Sequence, residues 1–334
     1  MADERTIGVD VGGTKIAAGV VDREGGIGRR LDRPTPTESQ EELLAALDET
    51  VEELLEDDVA ALGFGIPSTI DQRSGRAISS VHIPLADLDF RDRMGERFSL
   101  PVGIDNDGNA ATLAEWRIGA GRGTRYMVLL TLGTGIGGGL VLDGKLYRGA
   151  VGAAAELGHM VLLYGGEPCG GTCNGHGHFE QYVSGRAADR AAHEELGESA
   201  TARDLVAAAR EGNDAALQAM HEIGRRLGAG IGSLVNVFDP ELVVIGGGFS
   251  SALDLMLDSA RNVVEQEARP PGRDLVRIVP AELGPDAGLI GAGLVGLEAV
   301  ADAGGRAGQA GTASRRHRKR RLSAGAAENC SSRE

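Results

Sequence analysis

The chain has 334 residues, of which 42% are hydrophobic and only 3% aromatic, so we expect two domains with cores of Ala, Val, Leu and Ile. No run approaches the ~18–20 apolar residues of a membrane span, and the charged amino terminus does not have the pattern of a signal peptide. Three cysteines in a chain of this length exclude a disulfide scaffold, so the sequence predicts a cytoplasmic protein without a membrane partner.

The formal net charge of −15 understates the acidity of most of the chain. Residues 1–311 carry 27 basic and 47 acidic side chains, a net charge of −20, whereas residues 312–334 are basic. Such self-repulsion is weakened when salt screens it over a few ångströms, which favours a high-salt cytoplasm and a halophilic source. A GC-rich genome that prefers Arg to Lys is the alternative explanation.

The predicted elements begin with a β-hairpin, Thr6–Val11 and Ile16–Val21, joined by GGTK, and Ile27–Leu31 predicts a third strand. A second glycine-centred hairpin, in which YMVLLTL and LVLDGKLY flank GTGIGGG, repeats this plan. Two copies of one hairpin indicate a duplicated domain. The other predicted elements are a helix over Gln40–Leu55, strands at ALGFGIP and Leu100–Ile104, a helix after DNDGN, helices over Ala200–Ala209 and Asp214–Val237, a strand at ELVVIGGG, a helix from Ser250, and a last helix capped by Asp286.

Beyond Gly304 the composition is Gly, Ala, Ser and Arg without periodicity, which predicts a disordered basic tail over residues 304–334. Its RRHRKRR run is a candidate for contact with nucleic acid or phosphate. A solvated tail on an acidic body is the favoured interpretation, and we expect no specific nucleic acid partner.

The glycine-rich hairpin tips are candidate phosphate sites. Gly133, Gly135 and Gly138 match G-x-G-x-x-G, but a strand follows instead of a helix, which argues against a dinucleotide fold. The tips are either ordinary tight turns or concavities whose backbone N–H groups bind phosphate oxygens, and the hydroxyls and lysine beside them favour the second interpretation. The candidate nucleotide residues are Asp10, Gly12, Gly13, Thr14, Lys15, Gly133, Thr134 and Gly135.

Six segments together resemble the ROK family of sugar kinases and repressors: IGVDVGGTKIAAGVVD, GFGIPSTID, DNDGNAATLAEWRIGAG, LLTLGTGIGGGLVLDGKLYRG, AAELGHM and DPELVVIGGG. The resemblance implies a duplicated α/β fold of the actin-like ATPase (ribonuclease H-like) type, with two domains around a central cleft that binds ATP, Mg²⁺ and a hexose. It implies an N-terminal domain over residues 1–120, a C-terminal domain over 121–303, and a homo-oligomer, either a dimer or a tetramer.

The DNDGN segment supplies carboxylates at a strand-to-helix turn, where a side chain either projects into a cleft or caps the helix. By resemblance, Asp107 is the catalytic base that takes the proton of a sugar hydroxyl, and Asn106 binds a sugar hydroxyl. Glu156 and Glu180 are implied to accept hydrogen bonds from other hydroxyls of the sugar. A base so placed typically contributes about 10²–10⁴-fold to the rate.

The stretch PCGGTCNGHGHFEQ concentrates cysteine and histidine in one loop. By resemblance, His159 contacts both the sugar and a structural Zn²⁺ ion. Aligned on the family's zinc loop, Cys173 takes the second cysteine position, His178 takes the third, and Cys169 lies two residues before the first. The implied tetrahedral set is His159, Cys169, Cys173 and His178, with His176 in reserve. The alternative is that these departures mark a lost metal site.

Other glycines and two departures from the family pattern bear on the ligands. Gly246, Gly247 and Gly248 are implied to lie against the adenosine, although close helix–strand packing explains them equally well. Ser68 replaces a family glycine after GIP, and SVHIPLADLDF replaces a Pro-Asn-Leu element, so His82 or a neighbour is a candidate for the asparagine's role. Both departures bear on which hexose binds.

The leading hypothesis is therefore an ATP-dependent hexose kinase, first of all a glucokinase. Kinases for fructose, mannose or an N-acetylhexosamine are the near alternatives. A sugar-sensing regulator without catalysis is the alternative of another class. Such regulators carry an amino-terminal helix-turn-helix, whereas the first strand is predicted here by residue six or seven, and the catalytic candidates are all present.

Overall fold

The structure of the protein is a computed structural model, which describes residues 4–170 and 173–303. The strands of its first sheet are β1 (Arg5–Val11), β2 (Lys15–Val21), β3 (Ile27–Pro34), β4 (Val59–Ile66) and β8 (Val102–Asn106). They lie in the order β3-β2-β1-β4-β8; β1 is antiparallel to β2 and parallel to β4, and β4 is parallel to β8. The carboxyl ends of β1, β4 and β8 therefore meet at one edge of the sheet.

A second sheet repeats this arrangement. Its strands are β9 (Met127–Leu132), β10 (Ile136–Leu142), β11 (Lys145–Leu146), β12 (Leu242–Gly246) and β13 (Arg277–Pro280). Their order is β11-β10-β9-β12-β13, again with an antiparallel hairpin followed by parallel strands. The two sheets share one topology, which confirms the duplication that the paired hairpins predicted. A separate small sheet contains β5 (Thr69–Asp71), β6 (Arg76–Ser79) and β7 (Ala86–Leu88).

Helices cover both sheets. They are α1 (Gln40–Leu54), α2 (Phe90–Phe98), α3 (Asp107–Arg117), α4 (Glu180–Val183), α5 (Gly185–Leu196), α6 (Ala202–Arg210), α7 (Asp214–Phe238), α8 (Leu257–Glu267), α9 (Gly272–Leu275) and α10 (residues 287–303). Of these, α1 and α7 begin at the predicted residues, and α2, α4, α5 and α9 were not predicted. None of these helices combines the length and the apolar character needed to cross a bilayer.

A row of glycines seats α10 on the first sheet. Gly8, Gly63 and Gly103 are direct register partners on β1, β4 and β8. A Cβ atom at Gly63 would overlap the carbonyl oxygen of Ala292, and one at Gly103 would overlap that of Val295. The helix backbone therefore lies directly on the strand backbones, which fixes the carboxyl edge of the sheet relative to the helix.

The last helix, α10, begins at residue 287 as predicted, but the predicted capping role of Asp286 and the predicted helix start at Ser250 were wrong. Asp286 does not cap α10: it lies in a 3-10 turn, Gly284–Asp286, and its carboxylate accepts a hydrogen bond from the guanidinium of Arg30 at 2.5 Å. The helix expected from Ser250 is a 3-10 helix over Gly248–Leu255, and α8 begins only after it. The predicted disordered basic tail lies outside the described residues.

Candidate active site

The turn from β8 into α3 presents Asp107 at the edge of the first sheet. Asn106 is the N-cap of α3, and its Oδ1 accepts hydrogen bonds from the backbone N–H of Gly108 at 2.9 Å and of Asn109 at 3.4 Å. Oδ1 of Asp107 accepts from the same Gly108 N–H at 2.9 Å. A Cβ at Gly108 would lie 2.6 Å from the carbonyl oxygen of Gly138 on β10, so this turn contacts the second sheet. Asp107 therefore lies between the two halves of the molecule.

Asp105 and Asp107, the two carboxylates of the DNDGN segment, have different surroundings. Asp105 is fully buried and accepts hydrogen bonds from the side chains of Asn109, Gln72 and Arg148. Asp107 instead faces cavities on both sides. Burial raises the pKa of the Asp107 carboxyl above its ordinary value, although the Gly108 N–H and the nearby His82 oppose the shift. Of these two carboxylates, Asp107 is the one in the wall of a cavity where a molecule could bind.

The larger of the two cavities at Asp107 has a volume of about 690 Å³ and a polar wall. All four predicted sugar residues line it together with Asp107: Asn106, Glu156, His159 and Glu180. Burial raises the pKa of Glu156, His159 opposes the shift, and the charges of Asp107 and Glu180 add to it. Three carboxylates facing one cavity suit a ligand that has many hydroxyl groups, because a carboxylate accepts several hydrogen bonds.

Glu180 also ties this cavity to the second hairpin. Its Oε2 accepts a hydrogen bond from the backbone N–H of Ile136 at 2.9 Å. A Cβ at Gly135 would overlap the same oxygen, so a larger residue there would displace the Glu180 carboxylate. The tip of the second hairpin and the start of α4 are thus packed against each other at the cavity wall.

The smaller cavity, of about 240 Å³, lies on the other side of Asp107. Asp10, Thr131, Gly246 and Gly247 are in its wall. Burial, followed by the charge of Asp107, raises the pKa of Asp10 to about 7, while Lys15 opposes the shift. Two carboxylates that disfavour each other's charge form a place for a hard cation with oxygen ligands.

The predicted phosphate residues divide into two groups. Gly133, Gly135, Gly246 and Gly247 line a cavity, as does Asp10. Gly12, Gly13, Thr14 and Lys15 form the β1–β2 turn, closed by a hydrogen bond from the N–H of Gly12 to the carbonyl of Lys15 at 2.8 Å, but they are not in a cavity wall. Thr134 and Gly248 are also outside both walls. The Lys15 ammonium lies 3.3 Å from the Asp32 carboxylate.

Both departures from the family pattern lie in the wall of the larger cavity. The Ser68 hydroxyl donates to the carbonyl of Ser79 at 2.8 Å, so Ser68 joins β5 to β6. His82 lines the cavity near the first hairpin tip, since a Cβ at Gly13 would lie 3.6 Å from the Cβ of His82. Their positions agree with a role in selecting the hexose.

The four predicted metal ligands converge. The Nδ1 atoms of His159 and His178 are 3.1 Å apart, and each lies 3.8 Å from a cysteine Sγ: Cys169 for His159 and Cys173 for His178. One donor atom from each of the four residues lies within 4.8 Å of all the others. Tetrahedral zinc with its usual bond lengths places two nitrogens about 3.4 Å apart and a nitrogen and a sulfur about 3.6 Å apart. The donor set fits Zn²⁺, and His176 is not part of the cluster.

Sequence reasoning missed several residues around the smaller cavity. Thr131 lines both cavities, and its signal was the one polar residue in the apolar run YMVLLTL. Pro285 and Gly288 also line the smaller cavity, and a Cβ at Gly288 would overlap the Asp10 carboxylate. No local pattern indicated them, because α10 reaches Asp10 only in the folded chain.

Comparison with known proteins identifies the family of the chain. The model of the ROK family matches residues 6–298. The chain is 36% identical over 306 residues to a glucokinase of Streptomyces coelicolor, covering 86% of this chain and 96% of the relative. Its structure is similar to that of a ROK family glucokinase from Streptomyces griseus in complex with glucose and AMPPNP, with a TM-score of 0.77 and 35% identity over 88% of this chain and 99% of that one. A ROK hexokinase from Thermus thermophilus has the same TM-score and 36% identity over 89% of this chain and 99% of its own. The chain belongs to the ROK family.

Proposed function

We propose that the protein catalyses ATP-dependent phosphorylation of a hexose, with glucose as the first substrate to test. One observation carries the proposal: Asp107 is a partly buried carboxylate in the wall shared by a polar cavity of about 690 Å³ and a narrower, glycine-lined cavity. A sugar on one side and a triphosphate on the other would meet at this side chain. The similarity to glucokinases, one of them solved with glucose and AMPPNP, supports the same substrates.

In the proposed reaction, Asp107 takes the proton of the sugar hydroxyl as the oxygen attacks the terminal phosphorus of ATP. The bond between that phosphorus and the bridging oxygen breaks, and ADP leaves. Asn106, Glu156, His159 and Glu180 hold the other hydroxyls and so orient the acceptor. Positioning of this kind and stabilisation of the transferred charge account for most of the catalysis in phosphoryl transfer.

The residues at the narrower cavity fit magnesium. Burial and the charge of Asp107 raise the pKa of Asp10, whereas Lys15 opposes the shift, so a cation held by Asp10 would favour the charged form of its carboxylate. Asp10 would hold the ion, which when bound neutralises charge on the phosphates. The glycines of the second hairpin and of the turn after β12 leave room for the nucleotide, and Gly247, with φ of +84°, lies too close to the Leu132 carbonyl for a side chain.

The Cys/His cluster is proposed as a structural zinc site. Its ligands come from three places: His159 ends a 3-10 helix that follows Glu156, Cys169 and Cys173 belong to the loop, and His178 lies two residues before Glu180. Bound zinc would cross-link these segments. The positions of Glu156 and Glu180 would then depend on the metal. The cluster would therefore affect hexose affinity by holding these two carboxylates in place.

A panel of glucose, fructose, mannose, N-acetylglucosamine and N-acetylmannosamine, each with ATP and magnesium, tests the proposal by ADP release. We expect the highest kcat/KM for glucose. Absence of ADP release with every sugar, from protein that binds them, would refute a kinase and favour a sensor. Light scattering on the same sample tests the expected dimer or tetramer.

A further inference from the structure

Arg148 connects three distant parts of the chain beside the catalytic strand. Its Nε lies 2.5 Å from Oδ2 of Asp105 on β8, and its Nη2 lies 2.8 Å from Oε2 of Glu298 on α10. The Arg148 side chain is 25% exposed, and that of Asp105 is completely buried. Arg148 itself belongs to the segment that follows β11 and leads to Glu156. One guanidinium fork therefore joins this segment to β8 and α10.

Asp105 fixes the strand end that carries the catalytic residues. Its Oδ1 accepts a hydrogen bond from the backbone N–H of Asn106 at 2.9 Å, and another from the side chain of Asn109 at 2.9 Å. The same oxygen accepts from Gln72 at 3.1 Å, so Oδ2 is left for Arg148. A buried carboxylate that loses its cation must become neutral or move, because an unpaired charge is costly in an apolar interior. Either change acts on the residue directly before Asn106.

The segment that Arg148 anchors forms part of the wall of the sugar cavity. The N–H of Ala154 donates to the carbonyl of Arg148 at 3.3 Å, which folds the segment back on itself. The N–H of Gln72 donates to the carbonyl of Val151 at 3.3 Å, and Gly152 packs against the carbonyl of Ile70. Residues 153–156 follow directly and line the larger cavity. The segment is thus docked on the first half of the molecule, with Arg148 at its start.

We propose that Arg148 is a positioning residue, which sets the position of Glu156 relative to Asp107 by tying the sugar-side segment to β8 through Asp105. This inference rests on the proposed hexose kinase function. Arg148 does not line either cavity at Asp107, so it acts only through the residues that it holds. A misplacement of about 1 Å at a reacting group costs about 10²-fold in rate, so loss of this tie is measurable.

The test compares Arg148→Met and Arg148→Lys in the full chain. For Arg148→Met we expect kcat/KM for the hexose to fall about 10²-fold, with weaker hexose binding by calorimetry and AMPPNP affinity within twofold of the wild type. Lysine keeps a charge for Asp105 but lacks the planar guanidinium that also reaches Glu298. The kcat/KM and hexose affinity of Arg148→Lys should therefore lie between those of the wild type and of Arg148→Met. An equal loss of hexose and nucleotide affinity, or hexose parameters within twofold of the wild type, overturns the proposal.

Arg93→Met is the matched control. Arg93 makes a two-point ion pair with Asp48, at 2.7 and 2.8 Å, and its side chain is 29% exposed, but the pair joins α1 and α2 away from both cavities. This variant should lower the melting temperature and leave the hexose and nucleotide parameters unchanged. If Arg148→Met does not fold, Arg148→Lys decides: a threefold or larger rise in hexose Kd at unchanged AMPPNP Kd supports the tie, and a smaller rise refutes it. If the wild type binds hexose but releases no ADP, the proposed kinase function is refuted. The role of Arg148 can still be tested in that case, because the binding measurements do not depend on catalysis.

Discussion

Replacement of Asp107 by asparagine isolates the proton transfer from the rest of the site. The amide oxygen of Asn can still accept the Gly108 N–H, which lies 2.9 Å from Oδ1 in the native turn, so the start of α3 is retained. The amide cannot take a proton at neutral pH. General-base catalysis typically contributes about 10²–10⁴-fold, and we expect kcat to fall by that factor. Hexose affinity should change by less than about threefold, because Asn106, Glu156, His159 and Glu180 remain.

The assay is ADP release at saturating hexose and ATP, with hexose binding measured by calorimetry on the same preparation. Burial raises the pKa of Asp107, so the wild-type rate should increase with pH through a value above the ordinary ~3.9 of aspartate, and this acid limb should be absent in the variant. Asp258→Asn, on the exposed first turn of α8, is the control and should behave as the wild type. A kcat for Asp107→Asn within tenfold of the wild type would refute the assignment of the base.

Four further tests concern the two cation sites, the packing of α10 and the response to salt. Asp10→Asn should abolish the rise in melting temperature that magnesium and AMPPNP give the wild type; an unchanged rise would exclude Asp10 as the ligand. Elemental analysis should find about one zinc per chain, and its removal by a chelator should lower the melting temperature and raise the hexose KM, whereas active protein without zinc would contradict the site. Gly63→Ala should lower the free energy of unfolding by about 1–3 kcal/mol in urea titration, because its Cβ would overlap the Ala292 carbonyl, while Gly28→Ala, with its nearest neighbour 3.6 Å away, should not. The melting temperature should also rise between dilute buffer and molar salt, and a flat response would contradict the halophilic interpretation.

Most of the fold followed from local patterns. The glycine-tipped hairpins predicted β1, β2, β9 and β10. The repetition of this hairpin predicted the two equivalent sheets. The helical spacing of apolar residues predicted α1 and α7 almost to their ends. The role of Asp286 before α10 was predicted wrongly, because a capping side chain and an ion-pair partner look identical in sequence. Asp286 pairs with Arg30, which is 256 positions away.

The motifs predicted which residues belong to the candidate site, but not how each of them is placed in the folded chain. Asp107, Glu156, His159 and Glu180 were named from their motifs, and all line one cavity. The burial of Asp105 and its partners from distant segments, such as Arg148, could not be read from the motif. No spacing rule contains that information.

The sequence by itself determined the duplicated α/β architecture, the hairpin tips, the chemical types of the site residues and the four metal-ligand candidates, because each depends on residues close together in the chain. The tertiary structure decided which carboxylate faces the cavities, which histidine completes the Cys/His cluster, and that α10 brings Gly288 to Asp10. It also decided that Arg148 joins the sugar-side segment to the catalytic strand. These outcomes depend on contacts between residues far apart in sequence, whose energies exist only once the two sheets and α10 have packed together.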